Sequence, residues 1–208
     1  NWQTDNEFAQ PPHPSPTTLI ELDATTKAAD QGDLRAQLNL AFYWYREDDV
    51  KALFRFHQAA TQGHPKAQYH LGWLYYEGQG VSPNYSQAAH WFRQAAEQGY
   101  SSAQNALGGL YYEGKGVLQN FTQAAYWARK AAQRGEAKAQ NNLAGLYYEG
   151  KGVPQDCVLA TLWVTKAAEQ GYAQAQNNLG ELYLQGQGVP QDIDQARQWF
   201  EKAAGQGN

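Results

Sequence analysis

An all-α solenoid of stacked helix pairs is the fold class this sequence predicts, and three observations carry it. The stretch Gly109–Gly116, GLYYEGKG, returns letter for letter at Gly145–Gly152, with looser copies at Trp73–Gly80 (WLYYEGQG) and Glu181–Gly188 (ELYLQGQG). Ala-Gln pairs at Ala67-Gln68, Ala103-Gln104, Ala139-Gln140 and Ala175-Gln176 recur every 36 residues, and Ala36-Gln37 comes 31 residues before the first of them. Each unit also carries two apolar stripes at helical spacing, such as Ala67, Leu71, Leu74, Tyr75 and then Ala88, Trp91, Phe92, Ala95, Ala96. Neither stripe can be buried by its own helix, so neighbouring units must stack.

The elements follow in chain order. Residues 1–17 hold Pro11, Pro12, Pro14 and Pro16 and no periodicity, which predicts a flexible leader in which Trp2 and Phe8 are the only docking candidates. The solenoid is expected over 18–208: a degenerate half-repeat at 18–35, a shortened repeat at 36–66, and repeats at 67–102, 103–138, 139–174 and 175–208. Gly78, Gly114, Gly150 and Gly186 follow the first helix of each full unit, where a left-handed residue closes the helix end. The second glycine of each turn (Gly80, Gly116, Gly152, Gly188) is expected to loosen the loop, and the valine after it to fold back on the core. Asn84, Asn120, Asp156 and Asp192 are the expected N-caps of the second helices. Those helices end at Gly63, Gly99, Gly135, Gly171 and Gly207. Cys157 aligns with Tyr85, Phe121 and Ile193 and is expected to be a buried apolar residue.

Composition and motifs exclude several function classes. GLYYEGKG fits the phosphate-loop pattern G-x-x-x-x-G-K-[ST] except at its last position, where Gly116 and Gly152 replace the hydroxyl that binds Mg²⁺. A motif repeated at a fixed period is a helix end, so Lys115 and Lys151 are loop lysines. A net charge of −4 with no basic helix face argues against nucleic acid as a partner. No apolar run is long enough for membrane insertion. One cysteine forbids an intramolecular disulfide. His13, His57, His64, His70 and His90 lack metal-ligand spacing, so no metal or cofactor is expected. Asn84-Tyr85-Ser86 and Asn120-Phe121-Thr122 match the glycosylation sequon, but capping explains both. Starting at Asn1 and lacking methionine, the chain is expected to be trimmed or processed; loss of a signal peptide, and hence a periplasmic or secreted protein, is one route, with a cytoplasmic one left open.

The unit AQNNLAGLYYEGKGVPQDCVLATLWVTKAAEQGY resembles the Sel1-like repeat, a relative of the tetratricopeptide repeat, over roughly residues 28–208. The resemblance rests on LYYEGxGV, on the A-x-x-W-x-x-x-A-A-x-x-G spacing and on the period. It implies a right-handed α/α superhelix that serves as an adaptor, often exported in bacteria and linked there to host cells or the envelope. The first unit departs from the pattern, with EDDVK for the EGxGV turn and Arg55 where Trp91, Trp127, Trp163 and Trp199 stand later.

Tetratricopeptide geometry carried onto this chain places a concave peptide-binding groove along the first helices. Its candidate residues are Tyr69, Trp73, Tyr76, Asn105, Tyr112, Asn141, Tyr148 and Asn177. The amides Asn105, Asn141 and Asn177 offer two donors and an acceptor each to a peptide backbone, and the aromatics are the type that anchors partners. No catalytic residue is expected: S-x-x-K and H-E-x-x-H are both absent. The function expected is therefore non-catalytic binding of a protein or peptide in the groove. The alternatives are an exported host-interaction factor working through a convex or terminal surface, and an envelope enzyme acting on peptidoglycan or β-lactams. A homo-oligomer through the last repeat, near Trp199 and Phe200, is a further expectation.

Overall fold

The computed structural model describes Trp2, residues 19–45 and residues 47–206. Phe8, His13, the four leader prolines, Arg46 and Gly207 lie outside the described residues, and so do the expectations placed on them. The described residues form eleven helices and no strand: α1 Leu19–Asp30, α2 Leu34–Trp44, α3 Asp49–Thr61, α4 Pro65–Glu77, α5 Tyr85–Glu97, α6 Ser101–Glu113, α7 Phe121–Gln133, α8 Ala137–Glu149, α9 Cys157–Glu169, α10 Ala173–Gln185 and α11 Ile193–Ala204. This is the all-α helix-pair fold that the period predicts.

Two compact units divide the described residues. The N-unit runs to Ala103 and includes Lys115–Val117; the C-unit takes Gln104–Gly114, Leu118 onward, and Trp2. Each has its own core. In the N-unit Phe56, Leu71 and Leu74 are fully buried with Ala41, Ala52 and Ala67. In the C-unit Leu143, Leu146 and Tyr147 pack with Ala125, Ala128 and Ala139, while Val164, Leu179 and Leu182 pack with Ala167 and Ala175. Alanine at the contact faces lets helices approach closely, and each buried leucine contributes roughly 1.5–3 kcal/mol.

The Ala-Gln pair has a structural reason in four of its five copies. Gln140 Nε2 donates to the Ala132 carbonyl at the end of α7 (3.2 Å), and its Oε1 accepts from Gln170 Nε2 (2.7 Å). Gln68 repeats the arrangement with Ala60 and Gln98, Gln176 with Ala168 and Gln206, and Gln37 with Ala29 and Gln62. A buried glutamine thus satisfies a helix-end carbonyl of the preceding repeat.

The expected caps form. Asn84, Asn120, Asp156 and Asp192 accept from the backbone N–H three residues on, at 2.9–3.0 Å. Gly150 closes α8 at φ 67°. The role expected of the second glycine needs correction. Gly152 sits at φ 69°, and a Cβ there would strike the backbone of Phe121 at the start of α7. Gly80, Gly116 and Gly188 meet Asp49, Tyr85 and Cys157 in the same way. These glycines allow a close backbone approach rather than loosening a loop. Cys157 is also corrected: it is a free cysteine and only half-buried, at the first turn of α9.

Candidate functional site

The eight predicted groove residues fall into two groups. Tyr69, Trp73 and Tyr76 belong to the N-unit; Asn105, Tyr112, Asn141, Tyr148 and Asn177 belong to the C-unit.

In the N-unit, α4 turns Tyr69 and Trp73 into the structure instead of presenting them. They are only 4% and 3% exposed. Trp73 meets Tyr76 (5.1 Å between centroids) and Phe92 (5.5 Å) edge-on, and Tyr69 lies against Phe92, Tyr100 and His70. Their expected role as exposed anchors is corrected on that ground: neighbouring rings from α4 and α5 cover them. Tyr76 is half-buried, and its hydroxyl accepts from Lys115 Nζ at 3.0 Å. His70 is enclosed by Phe42, Phe56 and Tyr69, and burial, reinforced by the nearby Lys66 ammonium, pushes its pKa down to about 3. His64 instead caps α4, its Nδ1 accepting from Ala67 N.

In the C-unit the amide row is rearranged. Asn105 and Asn141 are buried, and their side-chain oxygens accept from Asn142 Nδ2 and Asn178 Nδ2, each at 2.8 Å. These bonds join α6 to α8 and α8 to α10, so the carbonyl half of the ladder is spent between helices. Asn141 lines a cavity of about 230 Å³ together with Trp2, Tyr112, Gly145 and Asn178. Asn177 is half-buried and lies off that cavity; Asn178 lines it instead. Sequence reasoning missed Asn142 and Asn178, although the doubled asparagine of AQNNL was the available signal.

Tyr112 and Tyr148 both reach this cavity. The Tyr112 hydroxyl accepts from Lys151 Nζ at 2.9 Å, and Lys151 pairs with Glu149 at 2.7 Å. The Glu149 carboxylate first, then the Tyr112 hydroxyl, hold the Lys151 ammonium above its ordinary pKa. Tyr148 is more exposed (37%) and donates to Gln187 Oε1 at 2.6 Å. Glu181 and Gln185 from α10 add to the cavity wall, and Glu181 has no ion pair among the described residues.

A third residue that sequence reasoning undervalued is Trp2. Its indole ring lies 5.4 Å from that of Tyr112, and its Nε1–H donates to the Asn105 carbonyl at 3.2 Å. It sits over Gly108, where a Cβ would come within 2.8 Å of Trp2 Cζ2. Trp2, remote in sequence, therefore rests on α6 through its side chain. The arrangement is one of rigid amides, tyrosines and carboxylates beside a small cavity, and it can hold a polypeptide segment by side-chain insertion and hydrogen bonding.

Comparison with known proteins bears on the whole solenoid. The family profile described as Sel1 repeat matches residues 30–47, 34–64, 65–100, 101–136, 137–172 and 173–208. Among solved structures, the chain is similar to c5321 of uropathogenic Escherichia coli, described as a protective antigen displaying an SLR fold, with 36% identity and a TM-score of 0.86. That match covers 90% of this chain and 41% of the other. It is also similar to a Sel1 repeat protein from Oxalobacter formigenes (42% identity, TM-score 0.80, 92% of this chain and 57% of the other). A third match is a Sel1 repeat protein from Klebsiella pneumoniae (25% identity, TM-score 0.57, 89% and 93%). The chain thus spans about half the length of the first two. None of the curated proteins matches the chain.

Proposed function

The chain belongs to the Sel1 repeat family, and we propose that it is a non-catalytic binding module that holds an extended polypeptide segment of a partner protein. Sel1 repeats generally serve as protein-interaction scaffolds. The segment lies on the face of the C-unit where α6, α8 and α10 are joined by their asparagines. The observation that carries this reading is Trp2, a residue distant in sequence whose indole is held on α6 by Tyr112 and the Asn105 carbonyl. Residues fixed in advance by Asn142, Asn178 and Lys151 lose little conformational freedom when a ligand arrives, which favours affinity.

The test compares proteins captured from cell-envelope and host-cell extracts by the intact chain and by a Tyr148→Ala/Gln185→Ala variant, both identified by mass spectrometry. These two side chains are exposed, so the variant keeps its fold. A partner captured by the intact chain and lost by the variant supports the reading; a partner retained by both moves the site elsewhere.

A second reading is an exported factor that meets host molecules through another surface. It is favoured by the similarity to the antigen of uropathogenic Escherichia coli, of which this chain spans 41%. Finding the protein outside the cytoplasm, with binding indifferent to Tyr148 and Gln185, is the outcome that reading expects.

A further inference from the structure

Two rings, two carboxylates and an apolar lining meet around the C-unit cavity of about 230 Å³. The rings are those of Trp2 and Tyr148, and the apolar lining includes Val164 and Leu182. Trp2 is backed by Tyr112 at 5.4 Å, and the Tyr148 hydroxyl is tied to Gln187 at 2.6 Å, so both rings are held before a ligand arrives. Gly145 keeps the space open, since nothing lies within 4 Å of a Cβ built there.

The two carboxylates differ. Glu149 pairs with Lys151 at 2.7 Å and accepts from the Tyr112 hydroxyl at 3.4 Å, so its charge is matched within the chain. Glu181 lines the cavity with no ion pair among the described residues. It stands at the repeat position that Trp73, Gly109 and Gly145 hold in the earlier full units, so the last unit alone of these puts a charge there. An unmatched negative charge beside an indole and a phenol ring is the chemistry that receives a cation. A guanidinium suits it better than an ammonium. It is more weakly hydrated, so it loses less on entering a partly apolar cavity, and its plane both stacks on rings and forks onto a carboxylate.

We propose that this cavity is a binding pocket for an arginine side chain carried by the partner's peptide. The guanidinium stacks on Trp2 and Tyr148 and pairs with Glu181. The net charge of −4 favours the approach of such a basic segment. The assignment rests on the peptide-binding reading above and specifies what the peptide carries.

The test is saturation-transfer NMR titration of the full chain with acetyl-Ala-Arg-Ala-amide. The controls are the citrulline peptide, which keeps the shape without the charge, and the lysine peptide. The arginine peptide is expected to bind saturably, and the citrulline peptide about five- to tenfold more weakly, having lost both the ion pair and the cation–ring attraction. The lysine peptide should fall between them. Glu181→Gln should weaken the arginine peptide severalfold, leave the citrulline peptide unchanged and so shrink the preference. Trp2→Leu, which keeps apolar bulk without the ring, should weaken the arginine peptide severalfold. Gly145→Leu, which fills the open space, should abolish binding; leucine favours helix over glycine, so the fold is kept. Unchanged circular dichroism and melting check each variant. No saturable binding up to millimolar peptide, equal binding of the arginine and citrulline peptides, or an undiminished preference in Glu181→Gln would each overturn the assignment. If the tripeptides fail while Tyr148→Ala/Gln185→Ala still loses its captured partner, the arginine pocket is wrong and the peptide-binding face stands. If the captured partner survives that variant, the face itself is wrong.

Discussion

The ammonium of Lys151 lies 2.9 Å from the hydroxyl of Tyr112, thirty-nine residues earlier, and its charge is held by Glu149 at 2.7 Å. The lysine that gives the EGKG turn its likeness to a phosphate loop is therefore a link between adjacent repeats. Lys115 makes the same contact with Tyr76 inside the N-unit. Because the ammonium is exposed, the link is sensitive to solvent ions. Lys151→Met is expected to lower the melting temperature slightly at low ionic strength. The difference from wild type should vanish near ~1 M salt, where screening lengths fall to about 3 Å. Melting curves at two salt concentrations check it, and a salt-independent loss would assign the effect to packing instead.

Gln140 is a buried staple with both ends of its amide engaged. Replacing it with leucine leaves the Gln170 amide only the long bond to the Lys166 carbonyl (3.4 Å) and removes one donor from the Ala132 carbonyl. The expected cost is about 1–3 kcal/mol, read by urea unfolding. The same replacement at the exposed Gln155 should change stability by less than about 0.5 kcal/mol.

Two left-handed glycines of the C-unit separate conformation from crowding. Gly135 has φ 90° with nothing near a built Cβ, whereas Gly152 has φ 69° with the Phe121 backbone in the way. Gly135→Ala is expected to cost about 1–2 kcal/mol, the left-handed penalty alone. Gly152→Ala should exceed that clearly, since backbone cannot rotate aside as a side chain can. Equal losses in denaturant titrations would mean that the turn relaxes away from Phe121.

His70 gives a pH signature. The folded chain keeps the imidazole neutral down to about pH 3 because it is buried among aromatic rings, while the unfolded chain protonates it near the ordinary 6.5. Below pH 6.5 the unfolded state thus binds the extra proton. The folded state is penalised by up to about 1.4 kcal/mol for each pH unit down to about 3, and hardly at all above 6.5. A His70→Leu variant should show a shallower loss of stability than wild type between pH 6.5 and 4.5. Parallel curves would place the acid sensitivity in other groups.

What the sequence disclosed was whatever a repeat encodes locally. Helix ends at Gly78 and Gly150 and caps at Asn84 and Asp156 depend on neighbours within four residues, so their chemistry is written in the string itself. The purpose of Gly152 was not legible, because it depends on Phe121, thirty-one residues earlier, passing beneath it. The aromatics misled for a related reason. A repeat template places Trp73 on the inner face, but only the packed rings of Phe92, Tyr69 and Tyr76 show that the face is already filled there. Asn105 and Asn141 were expected as an amide row open to a peptide, yet the doubled asparagine decides what they bond to. Trp2 was the hardest, since its partner Asn105 lies 103 positions away and no periodicity reaches into the leader.

The glutamine staples all run one way. Gln37, Gln68, Gln140 and Gln176 each donate backward, to the carbonyls of Ala29, Ala60, Ala132 and Ala168, eight residues nearer the start of the chain. A repeat leaving the ribosome thus ends in a carbonyl that the very next residues to emerge will satisfy. Order of synthesis and order of stacking coincide, and no helix pair has to reopen to admit the one that follows it.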